Sequence, residues 1–432
     1  MTTTHPTLKS GRAGRTTCAI AGGGPAGLVL GLLLARAGVQ VTVFEKHADF
    51  LRDFRGDTVH PTTLALLDDL GLFDLFNELP QSRLSHLQLP DAQGNDITLV
   101  DFTRLPVRHP YIAMVPQWDL LNLLAEAAAA EPNFTLLTEY EVTGVACEGR
   151  RVVGVEYSSP DGAGQLLADL TVACDGRGST IRQAVSLPST DFPVGFDVWW
   201  YRINTVQEVG TALLPQVHKN QLAIVIPREG YLQVAQLGPK GSDTKLRARG
   251  IDAFRTQVAN LLPAVAEDVS ALASMDDVKH LTVRVDRLRR WHAPGVLCIG
   301  DAAHAMSPVG GIGINLAIQD AVATARVLAG PLRRGEFLNG GDRLLARVQR
   351  RRIVPTVVLQ TVQRLAHAAV IMPVLQRGRS LQVPKMLSWL LQRVPSVSVL
   401  PAFIVGVGPR PERVPRWARQ SPSVRRPRGA HV

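Results

Sequence analysis

The chain has 432 residues, 46% of them hydrophobic, and a formal net charge of +10; that is too long for one simple core and too apolar for general disorder, so two domains are expected. The excess charge gathers at the ends: residues 1–16 carry Lys9, Arg12 and Arg15 with no acid, and residues 409–432 carry seven arginines against Glu412. Read as solvated tails over 1–15 and 409–432, these ends leave the stretch between them near neutrality, which argues against a basic, nucleic-acid-binding body.

The ordered chain is expected to open near Thr16. In TTCAIAGGGPAGLVLGLLLARAGVQVTVFEK, CAIA reads as a buried strand, PAGLVLGLLLARAG as a helix apolar on most sides, and VQVTVFE as the next strand. That is a βαβ unit, since parallel strands need such a crossover. In FRGDTVHPTTLALLDDLGLF, Pro61 starts a helix, Leu64, Leu67 and Leu70 recur at helical spacing, and Gly71 ends it. Residues 118–131 are a further helix, FTLLTEYEVTGVACEGRRVVGVEYSS alternates like a β-meander, and LLADLTVACDG is an apolar strand.

From about 190 to 285 the character changes. FDVWWYRINTV, QLAIVIPREGYLQVAQL and LTVRVDRL read as strands with hairpin breaks, and RARGIDAFRTQVANLLPAVAEDV as helical between them. This is expected to be an antiparallel domain inserted in the first. GVLCIG at 295–300 returns to a buried strand, and GINLAIQDAVATARVLAG is a helix again. The expected organisation is one α/β domain in two parts, 16–189 and 286–342, around an insert at 190–285. A helical region follows at 343–408, broken at Pro355, Pro373, Pro384, Pro395 and Pro401.

Cys18, Cys147, Cys174 and Cys298 form no CxxC pair, which suits free thiols in a reducing compartment. A cytoplasmic protein is expected, with no apolar run long enough for a spanning helix. No metal site is expected, because His, Cys and carboxylates show no ligand spacing. No GxSxG nucleophile motif is present either.

Three motifs carry chemistry. Gly22-Gly23-Gly24-Pro25-Ala26-Gly27 places glycines 22, 24 and 27 in a GxGxxG frame between a strand and a helix. The first allows a tight turn, the second lets a phosphate approach the backbone, and the third lets helix and strand pack closely. The helix N-terminus offers unpaired N–H groups to a pyrophosphate. Glu45, next to Lys46 at the end of the second strand, can accept hydrogen bonds from a ribose. CDGRGSTIR at 174–182 ends a strand in Asp-Gly. IGDAAHAMSPVGGIGINLAIQD at 299–320 ends another in Asp301 and opens a helix on closely spaced glycines.

Together GxGxxG with a downstream Glu, DGxxSxxR and GDAAHxxxPxGGxGxN resemble the fingerprints of the class A flavoprotein monooxygenases, represented by para-hydroxybenzoate hydroxylase. The resemblance covers roughly residues 16 to 330. It implies a Rossmann-like FAD-binding domain with an inserted antiparallel-sheet substrate domain and C-terminal helices. It also implies that Gly22, Gly24, Pro25, Ala26 and Gly27 wrap the FAD pyrophosphate while Glu45 and Lys46 hold the adenosine end. Arg55 matches a family Arg at the cofactor phosphates, near the nicotinamide cofactor, and Gln117 a family Gln at the FAD. Asp175 and Arg177 fall in the motif that serves both FAD and NAD(P)H. Asp301 is expected on the ribityl chain, and Pro308 by the flavin face. Gly311, Gly313, Ile314 and Asn315 are expected to present backbone to the pyrimidine edge of the ring.

The implied reaction consumes NADPH or NADH and O2 and hydroxylates an aromatic or polyketide-like small molecule through a flavin C4a-hydroperoxide. An FAD-dependent dehydrogenase or reductase is the alternative. The chain departs from the family at Ala173-Cys174, before Asp175, and no phenol-binding Tyr, Ser and Arg set of the hydroxybenzoate enzyme can be placed in 190–285. The halogenase motif WxWxIP is absent. Alternation in FDVWWYRI puts Trp199 and Tyr201 on one face and Val198 and Trp200 on the other; Trp199, Trp200 and Tyr201 are the candidate substrate wall. His60, His218 and His304 are candidate bases. The C-terminal helices are expected to cap the FAD domain or form a homodimer surface, with peripheral membrane contact as the other possibility.

Overall fold

Strands that are apolar without alternation must be covered on both faces, and these form the central layer. The structure, a computed structural model, describes residues 14–51, 58–207 and 214–420. Arg55 lies outside the described residues, as do most of the N-terminal tail and residues 421–432.

Chain order begins with β1 (Gly14–Ala21), α1 (Pro25–Arg36) and β2 (Val41–Glu45), the expected βαβ unit. Next come β3 (Thr58–Val59), α2 (Pro61–Asp69), α3 (Phe73–Asn77), β4 (Ser82–Leu84), β5 (His86–Pro90), β6 (Asp96–Asp101), β7 (Ile112–Met114) and α4 (Gln117–Ala129). Then come β8 (Phe134–Thr138), which pairs in parallel with β2 rather than joining the expected meander, and an antiparallel meander of β9 (Glu141–Glu148), β10 (Arg151–Ser159) and β11 (Gly162–Ala173), which ends at α5 (Thr180–Ala184).

The inserted layer holds β12 (Ser189–Phe192), β13 (Phe196–Asn204), β14 (Leu214–His218), β15 (Gln221–Arg228), β16 (Tyr231–Pro239), α6 (Asp243–Ala248), α7 (Gly250–Leu261), β17 (Lys279–Leu281) and β18 (Val285–Leu288). The chain returns through β19 (His292–Ala293), β20 (Val296–Cys298) and α8 (Ile312–Arg333). It ends in α9 (Asp342–Ala366), a π-turn at His367–Ile371, α10 (Met372–Arg377), α11 (Lys385–Arg393) and α12 (Val399–Gly406).

The main sheet runs β19-β20-β11-β1-β2-β8. All of its pairings from β20 to β8 are parallel. It brings the three motif-bearing strand ends, after Ala21, Ala173 and Cys298, side by side. The inserted sheet runs β14-β15-β16-β13-β17 and is antiparallel throughout. Its inner face does not close by itself. Phe196, Val198 and Trp200 share one cluster with Ile112 and Met114 of β7 and with Ile371, Val374 and Ala402 of the C-terminal helices.

Three other expectations change. Pro355 does not break its helix; α9 runs through it, because proline removes one hydrogen bond and tertiary packing holds the rest. Residues 409–420 are not a solvated tail. Val414 and Ala418 are buried in the main core, Arg36 donates to the Ala418 carbonyl at 3.0 Å, and Arg351 donates to buried Glu412 at 2.9 Å. Last, two helices among the described residues, Val309–Arg333 and Asp342–Arg377, are long and apolar enough by length and composition to cross a membrane. The first is mostly buried inside the protein, against α1. Only about a third of the apolar stretch of the second is buried inside the protein.

Candidate active site

The loop after β1 is shaped by what its glycines exclude. Gly22 takes φ +100°, and a Cβ there would come within 2.5 Å of the Cys174 carbonyl oxygen. A Cβ on Gly27 would stand 2.0 Å from the Gly22 oxygen. Both glycines are required by the protein's own packing. Gly24 is different: nothing lies within 4 Å of a Cβ built on it. It caps α1 without a side-chain bond, and Pro25 and Ala26 follow as the first helical residues. The first-turn N–H groups therefore open onto free space, as an anion site requires. Glu45 is buried at the end of β2, where its carboxylate accepts from Gly23 N at 3.0 Å and His47 N at 3.1 Å. Lys46 beside it is exposed and lines a shallow groove with Glu139 and Glu141.

Between strand ends lies an ion pair. Arg177 Nε donates to Asp301 Oδ2 at 3.0 Å, and its Nη2 donates to the Met306 carbonyl at 3.2 Å. Arg177 Nη1 and Asp175 Oδ1 are both buried without a hydrogen-bond partner. Burial pushes the Asp175 carboxyl up from its ordinary range, against hydrogen bonds from Ser179 and from the start of α5. Two orphaned polar atoms at one place cost several kcal/mol unless a ligand satisfies them; they belong to the very motif expected to meet cofactor.

The helix start after Pro308 repeats the logic of the first loop. Gly310 and Gly311 take φ +79° and +60°, and a Cβ on Gly311 would fall 1.8 Å from Thr58 Oγ1, which donates to the Gly311 carbonyl at 3.0 Å. Gly313 meets no such limit. Its nearest neighbours would be Met306 Cβ at 3.7 Å and Asp301 Oδ1 at 4.0 Å. Asp301 thus spends one oxygen on Arg177 and turns the other toward Gly313. Asn315 is buried with its side chain fully used. It accepts from His60 N (2.8 Å) and Thr63 Oγ1 (2.7 Å) and donates to the Thr58 and Gly311 carbonyls (both 3.0 Å). It fixes the helix start to β3 and α2, so only its backbone and that of half-buried Ile314 remain for a cofactor. Gln117 is half-buried at the first position of α4.

Pro308 is held by residues without a sequence signal. Gln363 donates to the Ser307 and Val309 carbonyls at 2.9 and 2.7 Å, and His367 Nε2 sits 2.9 Å from Ser307 Oγ. Both come from the helix after the last motif, and nothing in their local sequence marks them.

The candidate substrate wall is corrected in part. Trp199 and Tyr201 face away from this loop, into the cluster under α7. Trp199 Nε1 donates to Asp243 at 2.7 Å, and the Tyr201 hydroxyl donates to Gln236 at 3.0 Å. Trp200 points the other way, into the cluster that Val309 joins, and its buried Nε1 has no partner. Alternation gives the parity of the strand but not which face a helix covers.

Of the candidate bases, His304 is committed: its Nε2 lies 2.6 Å from Asp320, which also accepts from Arg352 at 2.8 Å. Burial alone would raise the Asp320 carboxyl, but His304 and Arg352 hold it below its ordinary range. His60 is buried against the Val405 carbonyl, and burial pulls its proton affinity down to about 4. His218 ends β14 at the sheet edge. Among the described residues no cluster of metal-binding side chains occurs.

A Rossmann-type sheet with three glycine-and-acid loops at its carboxyl edge, covered by an antiparallel sheet, defines a flavin-dependent oxidoreductase. The chain belongs to the FAD binding domain family, whose model matches residues 15–361. It is 34% identical over 352 residues to the 6-methylpretetramide 4-monooxygenase of Streptomyces rimosus, covering 81% of this chain and 83% of that one. It is 28% identical to the para-nitrophenol 4-monooxygenase of a Pseudomonas species, strain WBC-3, over 73% of this chain and 78% of that one. Among solved structures, the anhydrotetracycline hydroxylase OxyS of Streptomyces rimosus superposes with a TM-score of 0.69 at 25% identity, covering 91% of this chain and 76% of that one. Some relatives are longer: the chain spans 60% of a 12-dehydrotetracycline 5-monooxygenase to which it is 30% identical.

Proposed function

We propose that this protein is an FAD-dependent monooxygenase that takes electrons from NADPH or NADH and places one atom of O2 on an aromatic or polyketide-like small molecule, in the cytoplasm. Relatives named for 6-methylpretetramide, rifampicin and para-nitrophenol support that substrate class. The observation that carries the reading is the pair of uncrowded glycines. Nothing within the protein requires Gly24 or Gly313 to lack a side chain, yet both stand at helix starts beside acid-bearing loops. A bound dinucleotide cofactor supplies the missing steric reason.

The residues present fit FAD. The start of α1 at Gly24–Gly27 takes the pyrophosphate, Glu45 the adenosine ribose, and the free oxygen of Asp301 the ribityl hydroxyls. FAD held there would supply two-electron transfer from the nicotinamide to O2, with one oxygen atom going to the ring and the other leaving as water. The first turn of α8 presents backbone N–H groups and a partial positive charge that would stabilise negative charge on a reduced flavin held against it by about 1–2 kcal/mol when partly buried. Pro308, clamped through Ser307 and Val309 by Gln363 and His367, fixes that loop. Phe196, Val198 and Trp200 with Ile112, Met114 and Ile371 form an apolar wall that keeps water from the reacting centre. Trp200 Nε1 is the donor available to orient a substrate oxygen there.

Purified protein should carry or take up FAD, and its NAD(P)H oxidation should accelerate with substrate while product mass rises by one oxygen. Protein that neither carries flavin nor can be reconstituted with it contradicts the proposal.

A further inference from the structure

Helix α9 is built inside out over its second half. Its first half is ordinary, with Leu345 and Val348 in the main core and Arg343, Arg347 and Arg350 exposed, but from Arg352 on the buried side is largely polar and bonded to the body. Arg352 pairs with Asp320, Gln360 Nε2 donates to the Asp286 and Ala305 carbonyls at 2.7 and 3.1 Å, and Gln363 and, in the π-turn that follows, His367 clamp the Pro308 loop. Val354, Val357, Val358 and Leu365 face outward and are exposed. A surface helix normally buries its apolar stripe and shows its polar one. Helix α11 buries Leu391 but is apolar outward as well: Met386, Trp389 and Leu390, at positions i, i+3 and i+4, are exposed, the first two at 83% and 58%. Helix α12 exposes Leu400 at 64% and Phe403 at 43%, and packs beside α9 through Ile404 and Leu359. Exposed apolar area of this extent marks an interaction site.

Charge identifies the partner. Residues 343–420 hold fourteen Lys and Arg against Glu412 alone, whereas residues 17–342 hold 36 acids against 27 bases. The near-neutral sum over the middle of the chain thus conceals an acidic body and a basic C-terminal layer. Arg364, Arg377, Arg379, Lys385 and Arg393 are exposed among the apolar groups, and Arg393 lies over the Trp389 ring at 5.6 Å.

We propose that α9, α11 and α12 dock this protein peripherally on an anionic lipid bilayer, with the apolar stripes entering the headgroup boundary and the basic side chains meeting lipid phosphates. A two-fold dimer through the same face would set these like charges against each other. A spanning role would strip Arg352, Gln360 and Gln363 from the bonds that hold the Pro308 loop. The acidic body faces away from the bilayer, so charge alone orients approach. The inner side of α12, with the π-turn and α10 that follow α9, covers the cluster around Trp200, so this part of the docked layer has the proposed substrate chamber on its other side.

The test uses the full chain with its flavin, sedimented with phosphatidylcholine vesicles with and without phosphatidylglycerol. Binding is expected only where phosphatidylglycerol is present, with a blue shift of tryptophan emission that Trp389→Phe removes. Arg393→Gln should weaken partition about fivefold, and Met386→Glu with Leu400→Glu should abolish it while bound-flavin absorbance stays. Should the double variant fail to fold, Arg393→Gln still reads the charge dependence. Equal sedimentation with both vesicles, or none with either, overturns the proposal. So does a dimer by light scattering that Leu400→Glu splits, which would assign the face to a second copy.

Discussion

Gly311 and Gly313 stand two residues apart and are glycine for different reasons, which mutagenesis can separate. Gly311→Ala forces a side chain into a left-handed backbone and onto Thr58 Oγ1, so the apoprotein should lose about 1–3 kcal/mol from the backbone alone. Gly313→Val meets nothing closer than 3.7 Å at its Cβ; apoprotein stability should hold while FAD affinity falls about tenfold or more, an overpacking cost of roughly 1–3 kcal/mol. Urea unfolding and flavin titration of the two variants check this, and unchanged FAD affinity in Gly313→Val would remove the helix start from the cofactor site. The spacing of these glycines was legible in the sequence; the partner that crowds Gly311 was not, because Thr58 lies on a distant two-residue strand. His60 and His367 carry a second residue-scale expectation. Burial holds both near 4 against an ordinary 6.5, so between those values the unfolded chain binds more protons. Their stabilising contribution is complete above about pH 6.5 and is lost as pH falls through 4. His60→Gln and His367→Gln should each flatten the stability profile over that window, and an unaltered slope would show that neither ring is buried neutral.

At the scale of elements, α8 and α9 are joined by a buried charge cluster rather than by apolar packing alone. Asp320 accepts from Gly300 N at 3.1 Å, from His304 and from Arg352, whose side chain is 1% exposed. Asp320→Asn leaves Arg352 buried without its counter-charge and should cost about 3–5 kcal/mol in chemical unfolding; a loss under 1 kcal/mol would mean that water reaches the cluster. The sequence offers His304 as a candidate base and shows no partner for it, since Arg352 stands on a helix expected to break at Pro355. The βαβ unit, α4, the strands β8 to β11 and α8 were legible because apolar period and turn residues agree there, although β8 pairs with β2 and not with β9. Strands β4 to β7 went unread: most are only a few residues long, and their core comes from Phe196, Trp200 and the C-terminal helices. Short strands whose apolar partners lie in other segments leave no local pattern.

For the whole molecule, the two sheets, the three loops and the family match over residues 15–361 converge on one central claim, that the carboxyl edge of the parallel sheet holds FAD for oxygen transfer. Chain-wide composition concealed the charge separation between body and C-terminal layer because sums over long segments cancel. Fold and cofactor class were legible in the motifs; the face of β13 that turns toward the Pro308 loop was not, since it depends on where α7 packs. The most direct measurement is turnover of the FAD-loaded protein with NAD(P)H, an aromatic or polyketide-like substrate and ¹⁸O₂, read by product mass. The account predicts a hydroxylated product carrying one oxygen atom from O2. A product oxidised without gaining that label, formed equally well without oxygen by another electron acceptor, would contradict it and establish a dehydrogenase on the same fold.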